Sequence, residues 1–179
     1  MANATKYVSK PLEASYPYLI NPDTRFDAAK GKYTVTVLIS KEDVEEVNKI
    51  QAAYEAAITE GISKKFGGKA PNKATLRPCL KDGDDYDRPE FKGKWLLTCS
   101  SSNKPQVVDI NLNPITEPKA IVGGDLIRVS VNFAAYNVGG SKGVSCYLGS
   151  VQLVKKTDTP FGNRSTPEAD FGTNSDTLL

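Results

Sequence analysis

This sequence predicts a mostly β fold with one long helix and a flexible C-terminal tail. Three observations carry that expectation. Apolar and polar residues alternate through several short runs, most clearly in "DLIRVSVNFAAY" at 125–136, which is the period of a half-buried strand. Only one segment, alanine-rich and beginning after Ser40, keeps the spacing of a helix face. From about Asp158 onward the chain is rich in Pro, Gly, Ser, Thr and Asn without an apolar period, the composition of a mobile tail.

Taken in order, the first thirty residues hold Pro17, Pro22 and an Asn-Pro-Asp turn, which allow only short extended segments, expected at 6–9 and 13–19. "KYTVTVLIS" at 32–40 sets Tyr33, Val35, Val37 and Ile39 against Thr34, Thr36 and Ser40, a strand on a period of two. Ser40 and Asp43 match a capping box opening the helix. Val44, Val47, Tyr54, Ile58 and Ile62 form its apolar face, with a stop expected at Gly61 or at Gly67-Gly68. Lys41, Glu45, Glu46, Lys49 and Glu55 read as its solvated side.

"GGKAPNKA" at 67–74 is a basic loop, and "TLRPCL" at 75–80 a short strand limited by Pro78. Strands are expected at 94–101 and 105–112, then a turn-rich link at 113–118. The 125–136 strand points Ile127, Val129, Val131, Phe133 and Ala135 inward and Arg128, Ser130, Asn132, Ala134 and Tyr136 outward. A hairpin at 137–143 leads to the last strand at 144–155, with a bulge at Gly149-Ser150. Five to seven short strands with glycine-marked bends, and one helix between early strands, fit an OB-fold-like small β-barrel. The organisation expected is one domain over 1–157 and a disordered, mildly acidic tail over 158–179.

Composition narrows the function. The chain has 179 residues, 39% hydrophobic and 25% charged, enough for one domain with a core. No apolar run approaches the ~20 residues of a membrane span, and the N-terminus has no secretory pattern, so the cytoplasm is the expected location. Cys79, Cys99 and Cys146 are far apart and odd in number, which fits reduced, mostly buried thiols. Histidine is absent, which removes Ser-His and Cys-His nucleophiles, and the cysteine spacing suits no zinc site. Residues 165–179 carry Glu168, Asp170 and Asp176 and no cation. Without those three carboxylates the net charge of +2 becomes +5 for the body, a mild bias toward a polyanionic partner.

The most pointed stretch is "KDGDDYDRPEFKGKWLL" at 81–97. Asp82, Asp84, Asp87 and Glu90 could serve a metal-dependent nuclease, but Gly83 comes too early for a calcium loop, and two-metal sites are better built on separate rigid elements. Asp84 and Asp85 read as a solvated turn. Tyr86, Phe91 and Trp95 lie among Lys81, Arg88, Lys92 and Lys94, the mixture that single-stranded nucleic acid requires, because bases stack on aromatics and cations track phosphates. Trp95 stays open between core and stacking platform. Arg128 and Tyr136 on one strand, Tyr147 on the next and Lys142 on their hairpin add a cationic, aromatic-bearing sheet face. Arg77 and Lys104 complete the candidate set for DNA contact.

The runs "LRPCLKDGDDYDRPEFKGKWLLTCSSSNKPQVVD" and "GGDLIRVSVNFAAYNVGGSKGVSCYLGSVQLVK" resemble a family of phage and prophage single-stranded DNA-binding proteins, long catalogued as a domain of unknown function. The resemblance covers about residues 5–155 and is most specific in "DGDDYDRPEFKGKW", Gly123-Gly124-Asp125 and "KGVSCYLGSVQ". It implies an OB-fold with a long inserted helix and an acidic C-terminal tail. It also implies sequence-tolerant, non-enzymatic binding of single-stranded DNA during phage replication or recombination, in the host-cell cytoplasm and without a cofactor. Phage replication or recombination proteins, reached through the tail, and a second copy in a homodimer are further partners to consider; a membrane is not. The tail departs from the family pattern: it carries only Glu168, Asp170, Phe171 and Asp176 and ends in "DTLL". A phage structural or assembly protein with a β body is the remaining alternative.

Overall fold

The computed structural model describes residues 4–24, 31–72, 76, 80–117, 119–139, 141–158 and 160–161. Its strands are β1 (Lys6–Val8), β2 (Leu12–Asp23), β3 (Lys32–Ser40), β4 (Lys81–Asp82), β5 (Lys94–Ser101), β6 (Gln106–Val108), β7 (Leu126–Val138) and β8 (Ser141–Lys155), with one long helix, α1 (Val44–Lys64), between β3 and β4. Antiparallel pairings join β2 to β3, β3 to β5, β8 to β7 and β7 to β2. A parallel pairing of β5 with β8 completes a ring of five strands. β1 is added beside β7, β4 beside β5 and β6 beside β8. The fold is OB-like, as the sequence predicts.

The alternation read from the sequence places the core. Val35, Val37 and Ile39 of β3, Leu97 and Cys99 of β5, and Ile127, Val129, Val131 and Phe133 of β7 are all buried in one cluster inside the ring. Helix α1 packs against β7, β1 and β8, burying Ile50, Ala53, Tyr54, Ala57 and Ile58, with the Tyr54 ring edge-on to Phe133 at 6.4 Å. Gly61 lies inside the helix rather than at its end. A Cβ there would stand 2.5 Å from the Ala135 Cβ and 2.8 Å from the Phe66 ring, so the glycine lets α1 approach β7 closely. The helix stops at Lys64, and the Gly68 N–H donates back to the Ile62 carbonyl at 2.7 Å.

Several local expectations are corrected. Ser40 ends β3, and the N-cap is Asp43, whose carboxylate accepts from the Glu46 N–H at 3.3 Å. Glu46 is not solvated: it is 2% exposed and accepts from the Tyr7 hydroxyl at 2.8 Å. Burial, and then the hydrogen bond to Glu46 and its charge, push the Tyr7 hydroxyl pKa far up. Val44 is exposed rather than part of the apolar face. β6 is only three residues long, because Asp109 folds the following chain into a turn by accepting from the Asn111 and Asn113 N–H groups at 2.8 and 2.9 Å. The expected bulge is present: Ser130 pairs with Ser150 but Val131 with Leu148, leaving Gly149 as the extra residue.

The "GGD" turn fastens three parts of the chain. Gly124 N–H donates to Ala14 of β2, and Ala14 N–H donates to the Asp125 carbonyl. The fully buried Asp125 side chain accepts from the Val122 N–H at 2.9 Å, the Thr157 N–H at 2.8 Å and the Lys156 ammonium. Beyond the expected boundary at 157, Phe161 donates its N–H to the Gly123 carbonyl at 2.8 Å. The rest of the expected tail, residues 162–179, lies outside the described residues, as do residues 75 and 77–79 of the expected "TLRPCL" strand. Among the described residues, no helix is long and apolar enough to cross a membrane.

Candidate nucleic-acid interface

The residues that alternate with the core form the outer face of the ring. Register places them in rows. Tyr18 of β2 pairs with Thr34 of β3, Thr34 with Ser100 of β5, and Ser100 with Tyr147 of β8. A second row joins Ser15, which is buried, to Thr36 and Thr98, and the two threonine hydroxyls are 3.1 Å apart. The result is a hydroxyl-lined strip edged by tyrosines on β2 and β8. Tyr147 is 50% exposed. At strand spacings of ~4.8 Å, three steps put the two tyrosines roughly 14 Å apart.

One end of this strip is closed. Leu38 and Leu96 also point outward, yet both are buried beneath Phe91, with Phe161 packed alongside. Lys94, beside them, forms an ion pair with Glu13 of β2. The segment carrying Phe91 is held by a network around Lys41. Its ammonium donates to Asp82 Oδ1 at 2.6 Å and Asp84 Oδ2 at 2.7 Å, and stands 4.9 Å from the Trp95 ring centre. Asp82 also accepts from the Asp84 N–H, and Asp84 from the Gly93 N–H, both at 2.9 Å. These hydrogen bonds, first those with Lys41, hold both carboxyls below their usual range, while the bonds to Asp82 and then Asp84 raise the Lys41 ammonium. Gly83 is required here, since a Cβ would lie 2.1 Å from the Phe91 carbonyl oxygen. Glu90 is taken by Arg88 at 3.3 Å. The acidic stretch is therefore a folded latch, and among the described residues no three metal-ligating side chains converge.

The sequence-derived candidates separate into groups. Tyr86 is 39% exposed and meets Phe91 edge-on at 5.8 Å. Arg88 lies 4.7 Å over the Tyr16 ring and 5.8 Å from that of Phe91. Lys92 is exposed, its ammonium 3.4 Å from the Asp84 carbonyl, and Lys81, Lys104 and Lys142 are exposed as well. Phe91 is a correction: at 3% exposure it cannot receive a base, because it covers the outward leucines. Lys94 forms an ion pair with Glu13, which offsets its charge. Trp95 is half-buried against the main core and lines a cleft of about 520 Å³ with Val47 and Gln51 of α1, so β5 separates it from the outer strip. Tyr136 lies across Gly143, where a Cβ would meet its hydroxyl at 2.4 Å. Arg128 pairs with Gln152, four residues along β7 from the partner of Tyr147, and donates Nε–H to the Ser9 carbonyl at 2.9 Å. Arg77 lies outside the described residues.

Sequence reasoning missed Tyr16, Tyr18 and Lys119. Tyr16 and Pro17 together oppose one residue of β3, since Ser15 pairs with Thr36 and Tyr18 with Thr34. Tyr16 has φ of 48°, a left-handed conformation that costs a non-glycine residue ~1–2 kcal/mol. Two tyrosines around a proline in "SYPY" were the available signal, because proline inside a strand run marks a bulge.

Comparison with known proteins now bears on this geometry. A family model described as the ssDNA-binding protein of Enterobacter phage Enc34 matches residues 5–178. The chain belongs to that family. The Enc34-type assignment agrees with 30% identity over 161 residues, 88% of this chain and 87% of the relative, to the protein p50 of Acyrthosiphon pisum secondary endosymbiont phage 1. The structure of the bacteriophage Enc34 single-stranded DNA-binding protein in complex with ssDNA superimposes with a TM-score of 0.74 and 26% identity, covering 89% of this chain and 91% of that one. A single-stranded DNA-binding protein encoded by bacteriophage T7 shares the fold, with a TM-score of 0.61 at 19% identity, over 97% of this chain and 98% of that one.

Proposed function

We propose that this Enc34-type protein binds single-stranded DNA with little sequence preference on the outer face of its ring, in the host-cell cytoplasm during phage replication or recombination. The observation that carries the reading is the row Tyr18–Thr34–Ser100–Tyr147 in a chain of this family. Tyrosine rings offer a stackable face to any base. The hydroxyls between them can donate to phosphate or sugar oxygens without reading sequence. Exposed Lys92, Lys104, Lys119 and Lys142 are available to supply the counterion-releasing contacts. The protein acts by binding rather than by catalysis and needs no metal. No helix is required in a major groove, so duplex DNA is the poorer ligand.

A gel shift with labelled single-stranded and duplex oligonucleotides, with and without magnesium, tests this. Retarded single strands that stay intact in both conditions are expected. Cleavage in magnesium, or equal retardation of duplex, would overturn it.

A further inference from the structure

The geometry points to a second nucleotide subsite in the cleft between the β2 bulge and the GGD turn, one that takes an unpaired base and its phosphate beyond the outer strip. This inference rests on the single-stranded DNA reading above and extends the binding surface past the ring. The cleft measures about 550 Å³ and is lined by Tyr16, Tyr18, Arg88, Lys119, Gly123 and Phe161, among others. That volume falls within the ~300–1,000 Å³ of small-ligand sites.

Tyr18 belongs to both regions. It ends the row that runs to Tyr147 on the outer face and it walls the cleft. A strand leaving the outer strip over β2 therefore enters the cleft without crossing another element of the described chain. The polar groups inside suit one nucleotide. Tyr16 presents an exposed ring with the Arg88 guanidinium carbon 4.7 Å from its centre; one guanidinium nitrogen is held by Glu90 at 3.3 Å, and the remaining N–H groups can reach a phosphate. Lys119 adds an exposed cation at the rim. Phe161, seated over Gly123, bounds the far side.

A second observation concerns the backbone of a lining residue. Tyr16 holds φ of 48°, a conformation glycine adopts freely and tyrosine resists. A strained aromatic kept at the mouth of a cleft, with its ring largely uncommitted to the core, is the pattern of a residue retained for binding at the expense of stability.

The strain gives a test with a distinctive signature. Tyr16→Gly relieves the backbone and removes the ring. Its melting temperature should equal or exceed that of the wild type, while its Kd for an oligothymidine, read by fluorescence anisotropy, should weaken about tenfold. Arg88→Lys keeps the charge and loses the planar face. It should weaken binding comparably without changing the salt slope, because the number of cations is unaltered. Wild-type affinity in either variant overturns the subsite, as does a Tyr16→Gly protein that loses affinity and melting temperature together. If the wild type itself fails to bind the oligonucleotide, the single-strand reading falls first and the subsite with it.

Discussion

Replacing Phe91 by alanine separates a supporting role from a contacting one. The ring is 3% exposed and packs on Leu38 and Leu96, the two leucines that point out of the ring, with Phe161 beside it. A buried Phe→Ala change costs ~3–5 kcal/mol through lost transfer and an unfilled cavity. Among the described residues this cluster has three buried members and a partly open neighbour, so the low end applies, about 3 kcal/mol. For a chain of this size each kcal/mol moves the melting temperature roughly 2–4 °C, giving a fall of about 6–12 °C. Thermal unfolding followed by circular dichroism measures it. The same change should loosen the segment carrying Tyr86 and Arg88, so affinity falls as a secondary effect and recovers with Phe91→Leu. A variant with unchanged melting temperature and lost affinity would refute this reasoning and place Phe91 against the bases.

Other consequences follow from the same contacts. Gly61→Ala improves helix propensity by ~1 kcal/mol but drives a methyl to 2.5 Å from Ala135; net destabilisation in urea unfolding is expected, and stabilisation would show that α1 can move away. Asp125→Ala leaves the Val122 and Thr157 N–H groups without their carboxylate acceptor, at about 3 kcal/mol for the pair, checked by chemical denaturation. The Lys41 latch has its own pH window. Asp82 and Asp84 are held below their ordinary value of 3.8 and Lys41 above 10.5, so the carboxylates' contribution is present above the ordinary carboxylate range and lost as pH falls through their depressed values. That of Lys41 is present below 10.5 and lost as pH rises through its raised value. NMR titration of the Asp82 and Asp84 carboxyl carbons should show both transitions displaced in the wild type and moved back toward the ordinary value by Lys41→Met, the backbone N–H bonds from Asp84 and Gly93 keeping part of the displacement. Binding affinity should fall log-linearly with salt at ~0.7 per phosphate contact, and Lys92→Ala should lower that slope by about one contact.

Much of the fold was legible because strands advertise themselves by alternation. β3 and β5 match the expected ranges to the residue, and the Gly149 bulge was readable from its glycine. What failed were features set by partners distant in sequence. Glu46 looks like a surface glutamate until Tyr7 of β1 is placed over it. Gly61 looks like a helix stop until Ala135 of β7 is placed against it. The site was half legible. The mixture of aromatics and cations at 81–95 singled out Tyr86, which is exposed, and Arg88, which lies over the Tyr16 ring, but the pattern could not tell which aromatics would be spent on covering Leu38 and Leu96. Nor could it show that the acids would close onto Lys41. The strip itself is made of threonine and serine, residues without a binding signature until cross-strand register aligns them between Tyr18 and Tyr147.

The claim that single strands lie on the outer face of the ring is tested most directly by photo-crosslinking. An oligonucleotide carrying 5-bromodeoxyuridine at successive positions is irradiated with the protein and the attached peptides are mapped by mass spectrometry. The account predicts attachment at Tyr147 and Tyr18, with Tyr86 and Tyr16 following as the label moves along the strand. Crosslinks confined to the solvent side of α1, around Glu45 and Lys49, with none on β2, β5 or β8, would contradict it.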